Sequence, residues 1–415
     1  MTSHTDLAPP EGTSSARVPP VIFMPLLAPF GISAGYVSVT LAFQLGRAGL
    51  AAGAVAALVA LTIWPQTWKI LWAPVVDTVG NPKLWYGLGA ILVGATILLM
   101  SLHVHRAELH LLGILIVISS IASTLTSMST EIFMARFVQP NEKGRVSGWA
   151  QTGNLGGSGL GGGLGLAVAE RVAEPWVTGA VLAAICIACW AAVLILPPVP
   201  REDESLDYLA SLRGVGRALW DMARSRPGYL GLILMLLPVG SGGLQGVLPA
   251  IAGEWRAGAD MVAVVNGVAG GLISALGCLA GGWICDRLGG VRTYAAFGIA
   301  CGLVAVAMAL APRDPAMFAI FALLYAVALG GCYAAFTTIV LESIGPGAAA
   351  TKFNLFAAIS NIPLAWMTEL DGRVHDSHGT VAMLWLELAA PAVALTLFFL
   401  LVRATRPRAA AFAPG

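Results

Sequence analysis

Three pairs of charged residues in this chain share one spacing. Asp77 and Asp286, Lys83 and Arg292, and Lys143 and Lys352 are each 209 positions apart. Pro29 with Pro238, Gly31 with Gly240, and Arg47-Ala48-Gly49 with Arg256-Ala257-Gly258 keep the same offset, ungapped and in chain order. The offset is close to half of 415 residues, so it reads as an internal duplication. Each acid precedes a base by six positions, which suits electrostatic clasps at helix ends rather than bond-making chemistry. Glu131 is a different case. An acid inside an apolar run is a functional hypothesis by default, because its uncompensated burial costs about 2.5–3.5 kcal/mol or more. Ser120, Ser123, Thr124, Ser127 and Thr130 lead up to it at three- and four-residue steps, one polar stripe on a helix. Glu342 stands at nearly the equivalent place, 211 residues on. For this pair three readings stay open: a latch to nearby bases such as Arg136 or Lys352, a proton site, and a simple acid at a helix end. Glu387, in the last apolar run, has no reading at this level.

Catalysis and metal binding find no support. His4, His103, His105, His110, His375 and His378 all fall in loops or tails. The cysteines, Cys186, Cys189, Cys278, Cys285, Cys301 and Cys332, sit in or at the end of apolar runs, where a small buried hydrophobe is the default. Gly157, Gly159 and Gly162 satisfy G-x-G-x-x-G, but a dinucleotide site needs that motif between a strand and a helix, and here it lies mid-run. No enzyme activity, cofactor or metal is therefore expected. Net charge +1 says nothing about nucleic acid, and no nucleic-acid partner is expected.

The elements that position these residues follow from composition. Hydrophobic residues are 57% and charged residues 11%, against about 25% charged in soluble domains, so lipid is the solvent of this fold. Apolar runs at about Val21 to Leu45, Ala51 to Ala73, Leu84 to His103, Leu111 to Ala135, Val146 to Ala169 and Trp176 to Pro198 give six spans. Six more fall near Tyr229 to Ala252, Met261 to Cys285, Thr293 to Ala311, Ala316 to Leu341, Ala348 to Thr368 and Val381 to Val402. With both termini on one side, seventeen Lys and Arg lie on that side and six opposite, which predicts cytoplasmic termini. The expected organisation is a disordered tail (1–20), a six-helix bundle (21–198), a cytoplasmic amphipathic linker (199–228), a second six-helix bundle (229–402) and a cytoplasmic tail (403–415). In the linker, Leu206, Leu209, Leu212, Val215 and Leu219 recur at helical spacing, with Asp203, Glu204 and Asp207 at its start and Arg217, Arg224 and Arg226 at its end. The glycines from Gly153 to Gly165 allow close helix approach at a seam. Pro25 and Pro29 in the first run, Pro238 and Pro249 in the seventh, and Pro363 in the eleventh predict breaks that face a cavity. The fold class is thus an all-α polytopic membrane protein of 12 helices in two pseudo-symmetric bundles, the build of a secondary transporter.

Gly282, Asp286, Arg287, Gly289 and Arg292 together resemble the loop signature of the major facilitator superfamily. The first copy, WKILWAPVVD with Asp77 and Lys83, is similar to the AmpG-type permeases and their acetyl-CoA transporter relatives, as is ATKFNLFAAISNIP from Ala350 to Pro363. That resemblance implies proton-driven import of muropeptides or related solutes across a bacterial inner membrane, by a monomer. One departure is that the helix-4 acid pair common in the family is reduced to Glu131. Another is that the Gly-Pro pair of drug/proton antiporters is missing from the fifth run. The superfamily arrangement implies a cavity lined by the first, fourth, seventh and tenth spans. Tyr36, Thr124, Gln245 and Tyr333 are then the expected solute ligands, with Asn354 and Asn361 from the eleventh span, although each could instead bond helix to helix. Lys69, Asp77, Lys83, Asp286, Arg287, Arg292 and Lys352 form the expected gates. Because every Lys and Arg falls in a loop, tail or helix end, no mid-membrane cation is expected, and a neutral, zwitterionic or weakly acidic amphiphile fits better than a coenzyme A ester or nucleotide. Efflux of a small organic compound and a non-transporting scaffold or sensor remain the alternatives.

Overall fold

In the computed structural model, which describes residues 18–48, 50, 52–104, 108–198, 208–344 and 349–405, every regular element is a helix. The first bundle holds α1 (Pro20–Leu45), α2 (52–78), α3 (Pro82–His103), α4 (Leu109–Phe137), α5 (143–171) and α6 (Pro175–Ile195). A linker helix (Tyr208–Arg224) leads into α7 (226–255), α8 (Asp260–Leu288), α9 (Gly290–Leu310), α10 (Pro315–Ser343), α11 (349–378) and α12 (380–404). The last two run on from each other except at Gly379, whose φ of 81° turns the chain. Among the described residues, eight stretches are long and apolar enough to cross a membrane, the α11 and α12 pair counting as one. The remaining spans, α2, α5 and α7, are interrupted or glycine-rich. The tail at 1–17, the acidic start of the linker with Asp203, Glu204 and Asp207, and residues 406–415 lie outside the described residues.

The matched prolines do not produce matched breaks. α7 stops at Leu236 and restarts at Gly243, with Gly240 at φ 57° and Gly242 at φ 78° supplying the left-handed turns after Pro238. α1 stays helical through Pro29 and only widens to a π-helical turn at Tyr36–Leu41. The matched glycines differ in conformation: Gly31 is helical and packed on α5, where a Cβ would sit 1.9 Å from the Asn154 carbonyl oxygen, whereas Gly240 is left-handed.

Two glycine rows make α5 the seam. Toward α1, a Cβ on Gly153, Gly157 or Gly161 would lie 2.0, 2.7 or 2.2 Å from the carbonyl oxygens of Met24, Ala28 or Ile32. Toward α8 of the other bundle, Gly144 and Gly148 approach Gly282 and Cys278 in the same way, at 2.5 and 2.7 Å. Steps of four residues along each row keep each on one helix face, so α5 is locked to its own bundle and pressed against the other.

Candidate functional site

Charged groups close the end of the bundles that carries the linker helix, called here the linker side. Asp77, at the end of α2, accepts the backbone N–H groups of Ala350 (3.0 Å) and Thr351 (2.8 Å) and the Thr351 hydroxyl (2.7 Å), so a carboxylate of one bundle caps α11 of the other. Asp286, at the end of α8, accepts the Arg145 backbone N–H (3.1 Å) and side-chain Nε (2.7 Å) in the first turn of α5. The duplicated acids thus do the same job in opposite directions, each placed where a helix N-terminus favours negative charge. Lys143 Nζ donates to the Leu341 carbonyl of α10 (2.9 Å), and Lys352 Nζ to that of Ile344 (2.7 Å). Gln151 Nε2 reaches Thr337 Oγ1 across the bundles at 2.8 Å.

Above this seal lies a chamber. Its inner part, about 410 Å³, is walled by Gln66 and Lys69 of α2, Ser127 and Glu131 of α4, Gln151, Asn154 and Ser158 of α5, Gly240 and Ser241 at the α7 break, Tyr333 of α10 and Ser360 and Asn361 of α11. A second lobe of about 890 Å³ shares Phe30, Gln66 and Asn361 with it and extends past Thr62 and Trp366 to Glu369. Glu369 is twenty residues along α11, about 30 Å from the linker-side start of that helix, so the chamber runs to the far side. The linker side is sealed, and the chamber extends from the seal toward the far side.

Of the expected solute ligands, Tyr333 and Asn361 line the chamber. Tyr36 does not: it is fully buried within the first bundle, its hydroxyl 2.8 Å from Ser101 of α3. Thr124 is buried too, accepting the Trp72 indole N–H at 3.0 Å and donating to the Ile121 carbonyl. Asn354 is buried and donates to Glu131 Oε2 across the bundle interface at 3.0 Å, while Ser127 donates to Oε1 at 2.7 Å. Gln245 lies exposed on the upper part of α7 and is not among the lining residues. Lys69 faces the chamber close enough to Glu131 for the two charges to interact. This corrects the expectation of no cation at mid-membrane, and the cause is local: α2 is broken at Trp68, whose residue is followed by a short 3-10 turn (Lys69–Leu71) that carries Lys69 inward. Among the other gate residues, Lys83 donates to the Leu196 carbonyl (2.6 Å), Arg287 stacks on the Trp283 ring at 3.3 Å, and Arg292 and Glu342 are exposed at the start of α9 and the end of α10.

Two groups of functional candidates were missed. Gln151, Asn154 and Ser158 form a polar stripe at helical spacing on α5 that its glycines obscured. Asp371 and Glu387 lie 8 positions on either side of Gly379, a symmetry visible only once that glycine is known to be the turn between α11 and α12. On the far side a third cluster closes the top of α7. Glu254 accepts from Thr380, lies 2.8 Å from Arg313 Nη1 and 3.1 Å from His375 Nε2. Burial would raise the Glu254 carboxyl, but the Thr380 and His375 hydrogen bonds and the Arg313 charge outweigh it and hold it below the usual range. His375 is 26 residues along α11, about 39 Å and so beyond a hydrocarbon core, and its hydrogen bonds to Glu254 and Asp376 raise its imidazole.

The Major Facilitator Superfamily family model matches residues 20–368. No curated protein matches the chain. Among solved structures, the human organic anion transporter MFSD10 is 16% identical with a TM-score of 0.69, over 93% of this chain and 100% of that one. A bacterial homologue of the iron transporter ferroportin, in its outward-facing state, is 16% identical with a TM-score of 0.63, over 92% and 98%. The proton:xylose symporter XylE is 14% identical with a TM-score of 0.64, over 92% and 96%. At these identities the likeness is one of fold.

Proposed function

The chain belongs to the major facilitator superfamily, and from that premise we propose that it moves a small neutral, zwitterionic or weakly acidic amphiphile across the cytoplasmic membrane by alternating access. It is a multi-pass membrane transporter of that superfamily. The observation that carries the substrate reading is the chamber wall. In its inner part the two charges, Lys69 and Glu131, oppose each other, and the other polar groups are amides and hydroxyls, among them Gln66, Gln151, Asn154, Tyr333, Ser360 and Asn361. Such a wall hydrogen-bonds a sugar or peptide-like solute along its length, while apolar neighbours such as Phe30, Phe336 and Phe353 take a hydrophobic face. A polyanion would need several cations, and the wall offers one that is already balanced.

In this reading Tyr333 and Asn361 bind solute, Glu131 with Asn354 forms a latch that breaks when the linker side opens, and Asp77 and Asp286 are the gates. The linker side is cytoplasmic, the membrane is a bacterial inner membrane, the working unit is a monomer, and a muropeptide-like glycopeptide is the leading solute. Uptake of labelled disaccharide-peptides into proteoliposomes tests this, with Tyr333→Ala as the control. Flux above empty liposomes that is lost in the control supports it; no flux for any neutral or zwitterionic solute rejects it.

A further inference from the structure

Asp371 and Glu387 are both buried, at 0% and 5% exposure, on neighbouring antiparallel limbs of the second bundle. Their carboxyls meet consecutive residues of α7, Asp371 at Gly243 and Glu387 at Leu244. The two are not equivalent. Glu387 is supplied with donors, accepting the Leu244 backbone N–H at Oε1 (3.2 Å) and the Tyr325 hydroxyl at Oε2 (3.0 Å). Among the described residues, Asp371 has no N–H or O–H donor to either oxygen. An anionic Asp371 would sit buried, unpaired and against a second carboxylate, an arrangement that one shared proton removes: a protonated Asp371 donates to an ionised Glu387.

The pair stands directly behind the α7 break. Leu244 is the second residue of the upper α7 segment, Gly243–Ile251, and a Cβ on Gly243 would lie 2.9 Å from Asp371 Oδ2. Gly240 and Ser241, two to four residues earlier, line the chamber. The break therefore has the chamber on one side and the carboxyl pair on the other. The remaining titratable neighbours are Tyr325 and Cys332 on α10, Cys301 on α9 and, one turn outward on α11, His375; no lysine or arginine among the described residues contributes to the surroundings of either acid.

We propose that Asp371 and Glu387 form a one-proton site that holds the upper segment of α7 in place, so that proton occupancy controls the break lining the chamber. With the proton bound, Glu387 caps the segment and Asp371 is neutral beside it. When the proton leaves to water on the far side, two anions face each other and the segment's N-terminus is pushed off the pair. Proton binding itself is independent of solute identity; only the link to transport rests on the transporter reading.

The test is infrared difference spectroscopy of the purified full-length chain between mildly acidic and alkaline pH. A protonated-carboxyl stretch that disappears on alkalinisation should be lost in Asp371→Asn and in Glu387→Gln and kept in Glu131→Gln. A second measurement needs no carboxyl substitution: Ser241→Cys, with Cys332→Ala, should react faster with a maleimide at alkaline pH than at mildly acidic pH after correction for intrinsic thiol reactivity. A stretch that survives both pair variants, or that vanishes only in Glu131→Gln, overturns the site. Labelling with no corrected pH dependence overturns the coupling to α7. Either result is independent of whether the proteoliposomes take up solute.

Discussion

Asp77 and Thr351 belong to different bundles and are joined twice, the carboxylate accepting the Thr351 backbone N–H at 2.8 Å and its hydroxyl at 2.7 Å. Capping and helix-dipole terms of this kind are worth about 1 kcal/mol each, or about fivefold in an equilibrium. Asp77→Asn keeps the shape and removes the charge, so the linker-side-open state should gain about fivefold. Asp286→Asn should act alike through Arg145, and the double variant should approach the product of the two because they cap different helices, α11 and α5. Labelling of Ser360→Cys from the linker side measures this, and identical rates in parent and double variant would remove both acids from gating.

Glycines of α5 and of the linker helix should differ sharply in what they tolerate. Gly153→Ala would place a methyl 2.0 Å from the Met24 carbonyl oxygen, backbone against backbone, and should cost about 3 kcal/mol or more or prevent folding. Gly216→Ala in the linker helix meets nothing within 4 Å and should gain a few tenths to about 1 kcal/mol of helix propensity. Thermal unfolding of the purified variants checks both, and equal melting temperatures would contradict the packing described for α5.

The far-side cluster should make stability depend on pH with a definite sign. The raised His375 contributes fully below its ordinary value of about 6.5 and loses its contribution as pH rises through its higher folded value. The lowered Glu254 contributes fully above about 4.5 and loses its contribution as pH falls through its lower folded value. Their joint contribution is therefore complete between about pH 4.5 and 6.5. The melting temperature of the parent minus that of His375→Gln, plotted against pH, should peak in that window; a difference that keeps growing into alkaline pH would contradict the ion pair.

Much of this was legible in the sequence because duplication repeats its signals. The offset linking Asp77 to Asp286 marked them as a pair, and each meets a helix N-terminus of the opposite bundle, whereas the bases six positions on do not join them: Lys83 donates to the Leu196 carbonyl and Arg292 is exposed. Solute ligands were harder to place, since hydropathy gives the depth of a residue along a span but not its rotation. Thr124 and Tyr333 sit in corresponding runs, 209 positions apart, yet one turns into its own bundle to meet Trp72 and the other turns into the chamber. Lys69 was misplaced for a related reason: apolar runs locate spans, whereas the local turn at Lys69–Leu71 that carries the ammonium inward depends on packing around Trp68 and Trp72. Asp371 and Glu387 were invisible as a pair because only the turn at Gly379 brings them together.

The last prediction concerns Lys69 and the charge of the solute. Lys69 and Glu131 share one wall of the chamber, and Glu131 is already engaged by Ser127 and Asn354. A solute carboxylate can join Glu131 around the Lys69 ammonium without displacing Ser127 or Asn354, while a neutral solute has no need of it. Lys69→Met should therefore lower the apparent affinity for an acidic glycopeptide by about tenfold, the usual order for one charge-assisted hydrogen bond, and leave a neutral amidated analogue within about twofold. Removing the base also leaves Glu131 without its balancing charge, so Lys69→Met with Glu131→Gln should restore part of the stability lost in the first variant alone. Binding curves for the acid and its amide on the same preparations measure the effect directly. Equal losses for both solutes would show that Lys69 supports the fold of the chamber and does not read charge.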